Sequence, residues 1–401
     1  SYSYSWYTDS QQAYSVTTTM PIVSTAHNGP GVAASSTVVF DTDGRAVWTK
    51  DADGFITYTE YDQATGSVVK MISDVDTTQT STFANLPSGW ATPSGGGLHL
   101  TTSYEYDAEG RTTKSVDAKG NVTYTVYRDG GREVRTYAGW DSTTNRPTGP
   151  TSVYKVDPDG RFSDSLTMSA APAVDGSGRP TGAEAISDIE SWTRTQHNAA
   201  GQATATDTFF DLTGVTYSTA TPTLGVQNTN FLRTTQDYDK QGRPNKSVSS
   251  AGTIYRTEYD GLGRVVSEWV GTDDTPTTGF WSPTNLAGTN MVKVREYQYD
   301  GGGVGDSNLT KVTEFPGGGA ANRVTQSFFD WRNRTVATKS GVESSESTSV
   351  NRPISYVEFN NLGEVLSSER YDGDGVSIVD ADADGVPDRP SASLLRSKST
   401  A

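Results

Sequence analysis

The sequence predicts an all-β chain assembled from consecutive β-hairpins, and three observations lead there. Aromatic residues are plentiful, with 20 Tyr, 12 Phe and 8 Trp among 401 residues, yet hydrophobic residues as a whole reach only 33%, a balance that favours strands and turns over helices. Apolar and polar residues alternate in short runs such as Ile56-Thr57-Tyr58-Thr59-Glu60-Tyr61 and Thr123-Tyr124-Thr125-Val126-Tyr127, the period of a half-buried strand. A turn phrase of an aromatic, Asp, two variable residues, Gly and Arg recurs along the chain.

Composition excludes several function classes. No run approaches the roughly 18 consecutive apolar residues of a membrane-spanning helix. With 32 Lys and Arg against 48 Asp and Glu, the net charge of −16 repels phosphate backbones and argues against a nucleic-acid partner. The absence of Cys removes disulfides, thiolate chemistry and Cys-based zinc sites. The chain starts at Ser1 without Met and both ends break in mid-pattern, so it is expected to be a piece of a longer polypeptide.

Taken in order, residues 1–39 read as a β segment flanking the repeats, and residues 40–371 carry the array. The phrase is sharpest at Phe40-Asp41-Thr42-Asp43-Gly44-Arg45, Tyr106-Asp107-Ala108-Glu109-Gly110-Arg111, Tyr238-Asp239-Lys240-Gln241-Gly242-Arg243 and Tyr259-Asp260-Gly261-Leu262-Gly263-Arg264. Looser copies start at Tyr61, Val156, Phe329 and Phe359. From Asp41 to Asp62, Tyr106 to Tyr127 and Tyr238 to Tyr259 the step is 21 residues, and a second turn signal lies between, as in Asp51 to Gly54, Asp117 to Gly120 and Ser249 to Gly252. The aromatic is expected to end a strand and pack inward. Asp accepts hydrogen bonds from the turn backbone, Gly supplies a positive φ, and Arg opens the return strand, its fork bridging Asp or backbone carbonyls. One such hairpin cannot bury its own apolar face, so neighbours must stack into a sheet. Ser/Thr/Gly/Pro-rich insertions at 74–97, 140–150, 170–182, 271–289 and 301–319 read as surface loops or extended hairpins. Thr181 to Thr195, with Ile186, Ile189 and Trp192 at helical spacing, is expected to form a short helix. Residues 372–390 form an acidic, calcium-type loop, and 391–401 start a further repeat.

The phrase YDxxGR, followed by DxxG and then YxxYD, closely resembles the YD repeat of the rearrangement-hotspot (RHS) proteins, which include teneurins and the shell-forming parts of bacterial toxin complexes. The resemblance covers Phe40 to Tyr371. It implies one long sheet of hairpins spiralling into a hollow shell, tube or solenoid-like wall. RHS shells that enclose toxins usually end in an autoproteolytic DPxGL segment; Asp157-Pro158-Asp159-Gly160 begins similarly, but Arg161 follows and the context is a repeat turn.

Chemistry is sparse elsewhere. His27, His99 and His197 lie far apart without metal-ligand spacing. Glycine runs at 95–97, 301–303 and 317–319 lack the Lys-Ser/Thr and helix that phosphate cradling needs. A catalytic carboxylate pair should be singular, whereas the repeat Asp recurs in every unit, so no enzyme activity is expected. The exception is Asp380-Ala381-Asp382-Ala383-Asp384-Gly385-Val386-Pro387-Asp388. Alternate Asp side chains converge on a hard cation, Gly385 permits the sharp turn and Val386 offers its carbonyl, so Ca²⁺ is expected on Asp380, Asp382, Asp384, Val386 and Asp388. The segment resembles the DxDxDGxxD loops of dockerins and thrombospondin type 3 repeats, except that Ser391 stands at the twelfth place; Asp372 and Asp374 are nearby candidates. Sequons occur at Asn121, Asn245, Asn308 and Asn333. The expected function is an extracellular or cell-surface scaffold, a shell, tube or filament partnered by further repeats or by copies of itself. One alternative is the encapsulating shell of a secreted toxin or effector. The other is a surface-glycan-binding adhesin module that uses exposed Trp90, Trp140 and Trp281.

Overall fold

A computed structural model describes residues 1–28, 30–303, 305–342, 352–381 and 386–400. Among them, 25 strands take part in antiparallel sheet pairing, and two more, Trp140–Asp141 and Arg146–Pro147, make a small hairpin within an insertion. The chain forms two compact units, Ser1–Gln202 with Asp207–Leu232, and Ala203–Thr206 with Arg233–Ala401. In the first, strands pair in chain order from Tyr2–Trp6 to Ile189–His197. In the second, they pair from Phe231–Tyr238 to Leu395–Thr400. The all-β hairpin array read from the sequence is present.

Antiparallel strands paired in chain order place successive connections alternately on two edges of each unit. The tight turns 41–45, 62–67, 107–111 and 157–161 of the first unit therefore share one edge, as do 239–243, 260–264, 330–334 and 360–364 of the second. The opposite edge carries the short Asp51, Asp117 and Ser249 turns and the long insertions. Glycines 301–303 are the exception among the expected insertions: they belong to a widened repeat turn, where the N–H of Asp300 bonds to the C=O of Asn308 at 2.8 Å.

The insertions do not remain surface loops; they fold back onto one face of the sheet. In the first unit Val39, Trp48, Tyr58 and Ile72 are successive cross-strand partners and form a buried row, and Phe83, Leu86 and Trp90 from the connection 74–99 pack over it. Val153, Leu166 and Trp192 make a second row under Ile186, Leu212, Tyr217 and Leu224. In the second unit, Trp269 lies beneath Trp281 and Leu286, and Ile354 and Tyr356 lie beneath Val376 and Ile378. A bare sheet face would leave such rows in water; covering one Leu- or Phe-sized side chain stabilises by about 1.5–3 kcal/mol. The insertions thus supply the second layer that a single sheet lacks.

Two expectations are corrected here. Residues 181–195 form no helix: Ile189–His197 is a strand, with Trp192 and Arg194 buried at period two. Asp188, at φ 51°, takes the left-handed conformation just before it, which a right-handed helix cannot contain. The Ile186, Ile189 and Trp192 spacing reflects a loop and a strand reaching the same core. The second correction concerns the tryptophans. Trp140 is 7% exposed and edge-on to Tyr124 and Tyr137, while Trp90 and Trp281 are half-buried against Trp48 and Trp269. They are core components of the covers, not exposed sugar platforms.

Candidate functional site

The recurring turn is the arrangement on which the sequence converges. At Asp260 the turn closes through Asp260 N–H to Arg264 C=O at 2.9 Å and Gly263 N–H to Asp260 C=O at 3.1 Å, with Gly263 at φ 86°. Such a three-residue loop with a left-handed last position carries a bulge, and the pairing register slips at the aromatic each time, between Glu60 and Tyr61, Glu105 and Tyr106, and Glu258 and Tyr259. Asn333 (φ 60°) replaces Gly in the looser copy, as one of the few residues that tolerate this conformation.

One Asp oxygen accepts two backbone N–H groups, from Leu262 and Arg264 at Asp260, and the other accepts the arginine Nε–H at 2.7 Å. The same three bonds recur at Asp41, Asp107, Asp239 and Asp330. These contacts hold the carboxyl below its usual range, led by the Arg264 backbone N–H at Asp260 and by the Arg161 side chain at Asp157. The rest of the guanidinium reaches the next turn on the same edge. Arg243 Nη1 donates to the C=O of Asp260 (3.4 Å), Arg264 Nη1 to the Asp300 carboxylate (2.9 Å), and Arg334 Nη1 to the C=O of Asn360 (3.1 Å). The arginine also lies over the next aromatic, 4.4 Å from the ring centres of Tyr127, Tyr259 and Tyr299 for Arg111, Arg243 and Arg264. The tyrosine then donates its OH backwards, Tyr61 to the C=O of Ala46 and Tyr259 to that of Pro244. The aromatic expected to pack inward instead sits half-buried at the turn edge under an arginine.

Sequence reasoning missed a second set of charged residues, which fasten the covers. Arg135 (2% exposed) bonds Glu133 and Glu184 at 2.7 and 2.8 Å, and Tyr137 donates to Glu184 at 2.6 Å, so the cover residue Glu184 is pinned to the sheet. Asp164 and Arg194 are fully buried and paired at 2.7 Å; Tyr217 donates to Asp164, and Arg194 donates to the carbonyls of Ser218 and Thr221. Asp274 is held by Lys246 and Arg256. Strand parity was the available signal: Arg135, Arg194 and Arg256 stand where alternation calls for an inward residue.

The predicted calcium residues are divided. Asp382 and Asp384 lie outside the described residues. Asp388 N–H bonds to the C=O of Val379 at 2.7 Å, its Oδ2 accepts the N–H of Ala381 at 2.9 Å, and its C=O accepts the Tyr356 OH at 2.6 Å, so the loop that holds Asp380 and Val386 is closed at its neck. Of the two extra candidates, Asp372 pairs with Arg396, and Asp374 accepts the N–H of Arg352. Among the described residues, no three His, Asp or Glu gather as a metal site. His99 is structural: Nδ1 accepts the Asp76 N–H, and Nε2 bonds the Thr82 hydroxyl. Asp157-Pro158-Asp159-Gly160-Arg161 is a repeat turn, locked by Arg161 Nε to Asp157 at 2.8 Å. The sequon amides of Asn308 and Asn333 bond one another at 2.8 Å. No helix among the described residues is long and apolar enough to cross a membrane.

No family model matches the chain, and no curated protein matches it. Among solved structures it is similar to a chain of TcdB2-TccC3-Cdc42, at 14% identity and a TM-score of 0.42, covering 84% of this chain and 15% of that one. It is also similar to a chain of the Photorhabdus luminescens Tc holotoxin pore, at 14% identity and a TM-score of 0.35, covering 93% of this chain and 20% of that one.

Glu369 makes the fastening of the last cover measurable. Hydrogen bonds from Lys398 (2.7 Å), then Tyr371 (2.6 Å) and Arg389 (2.9 Å), outweigh desolvation and bring its carboxyl down to about 2. A depressed carboxyl stabilises the fold fully above its ordinary value of 4.5 and loses that contribution as pH falls towards about 2. Glu369→Gln should lower stability at neutral pH and flatten the acid limb across this window, read by urea unfolding at stepped pH. From its own recurring turn, register slip and arginine fork, the chain is an all-β array of consecutive β-hairpin repeats.

Proposed function

We propose that the chain is a non-catalytic structural repeat array, a length of wall in an extracellular or cell-surface shell, tube or filament. The supporting observation is the forward reach of Arg243, Arg264 and Arg334 to the next turn, which lets hairpins be added one after another on nearest-neighbour contacts. The partners in this reading are further repeats or copies of the chain. The carboxylates and guanidinium groups described above are engaged in turns and covers, which favours a structural over a catalytic use. The narrower reading, an encapsulating shell for a secreted toxin or effector, adds a cargo inside the same wall.

Electron microscopy of the native material tests both. A wall one sheet thick around a lumen or along a tube axis is the expected image, and density inside the lumen selects the narrower reading. Compact, closed monomers without a lumen contradict both.

We also propose that Ca²⁺ occupies the 380–388 loop, with Asp380, Asp382, Asp384 and Asp388 offering carboxylates and Val386 its carbonyl. The donors are all hard oxygens, and the neck at Val379 and Asp388 favours their convergence. Four carboxylates so close repel one another, and a bound cation removes that repulsion. Binding to the folded form alone adds about 2.7 kcal/mol when calcium is a hundredfold above Kd. Hydrogen exchange should slow across 372–390 with calcium and revert with chelator, and Asp380→Ala should abolish the difference. Equal protection with calcium and chelator contradicts the site.

A further inference from the structure

A cleft lies beside the arginine clasp, between the sheet face and the returning insertion. In the second unit it is bounded by the 239–243 turn, the strand Ile254–Tyr259 and the insertion residues 281–283, and measures about 310 Å³. In the first unit a cleft of about 350 Å³ occupies the matching place, between the 107–111 turn, the strand Val122–Arg128 and insertion residues 175–180. Asp239, Arg243, Asn245 and Tyr259 of one correspond to Asp107, Arg111, Thr113 and Tyr127 of the other at one constant offset along the sequence.

The two clefts differ in how far their walls satisfy themselves. In the first unit, Arg179 donates to Glu105, Asp175 accepts the N–H groups of Ser177 and Arg179, Arg111 donates to Asp107 and Glu109, and the Thr113 hydroxyl donates to the C=O of Glu105. In the second unit, the side chains of Gln241, Asn245 and Thr257 make no hydrogen bond among the described residues, and Glu258 has only the Ser267 hydroxyl, at 3.1 Å on Oε2. The Trp281 indole N–H is the one buried side-chain polar atom without a partner among the described residues. Buried polar atoms are nearly always bonded, so an orphan in a cleft wall marks a place where something else supplies the acceptor.

We propose that the second-unit cleft binds a neutral saccharide unit. Amide, hydroxyl and carboxylate groups together offer the mixed donors and acceptors that sugar hydroxyls match. The guanidinium groups are already neutralised, Arg243 by Asp239 and Arg256 by Asp274, which leaves Lys240 as the single unpaired cation among the described residues lining the cleft. An anionic ligand would meet little positive charge there. This assignment is independent of the scaffold reading, since a wall segment with or without a lumen presents the same cleft.

The test titrates the whole chain with galactose, N-acetylglucosamine and cellobiose, with inorganic phosphate as a parallel arm, read by tryptophan fluorescence and saturation-transfer NMR. At least one sugar should bind, and Gln241→Ala or Asn245→Ala should each weaken it about tenfold, the effect of one lost hydrogen bond. Thr125→Ala, in the first-unit cleft, should leave it unchanged. Gln241 is exposed at a turn tip, so its substitution reports on binding rather than folding. The proposal is overturned if no sugar of the panel binds, if binding survives Gln241→Ala combined with Asn245→Ala, or if phosphate binds in place of sugar and is lost with Lys240→Ala.

Discussion

The arginine of the repeat turn is the group on which the rest of the structure depends. Its Nε–H closes its own turn through Asp, and its outer nitrogens and flat face engage the carbonyl and aromatic of the next turn. A lysine would keep the charge but not the fork, which is why this position carries Arg. Each contact alone is modest, because the pairs are part-exposed and screened. Repetition changes the outcome: a turn held by its own Asp and by the preceding Arg resists fraying from both sides. The bulge at each aromatic follows from the same constraint, since it turns the ring to where the preceding guanidinium can cover it.

A sheet of hairpins fastened along one edge still has a bare face, and the insertions answer that need. They leave from the opposite edge, so they return over the sheet without disturbing the clasps. Their apolar residues fill the rows of Trp48, Trp192, Trp269 and Tyr356, and buried charges then fix their position. Asp164 with Arg194 shows the cost and the benefit. Two charges without solvent are unfavourable unless every lone pair and proton is engaged. Here the indole of Trp192, the phenol of Tyr217 and two cover carbonyls complete the set. Such a network adds little net stability but admits one placement of the cover.

Much of this was legible in the sequence. Turn chemistry is local, so the roles of Asp, Gly and Arg at Asp41, Asp107, Asp239 and Asp260 followed from residue type and order, and strand parity placed Ile56 and Tyr58 on one face. The forward reach of Arg243 to Asp260 was not legible, because it depends on the distance between turns two connections apart. The covers were misread for a similar reason. Trp140 and Trp281 sit in segments whose composition is that of loops, and only the sheet beneath them decides that they pack inward. The Thr181–Thr195 segment misled because apolar residues three apart satisfy a helix pattern and equally a loop running into a strand. The calcium residues rest on spacing alone, and Asp382 and Asp384 lie outside the described residues.

The central claim, that arginines such as Arg243, Arg264 and Arg334 join their turn to the next, is tested most directly by native-state hydrogen exchange on Arg243→Lys. The account predicts exchange faster by about tenfold at both 239–243 and 260–264, consistent with loss of one charge-assisted contact at each turn, while the opposite-edge turn 249–253 keeps its protection. A change confined to 239–243, or equal loss on both edges, would contradict it.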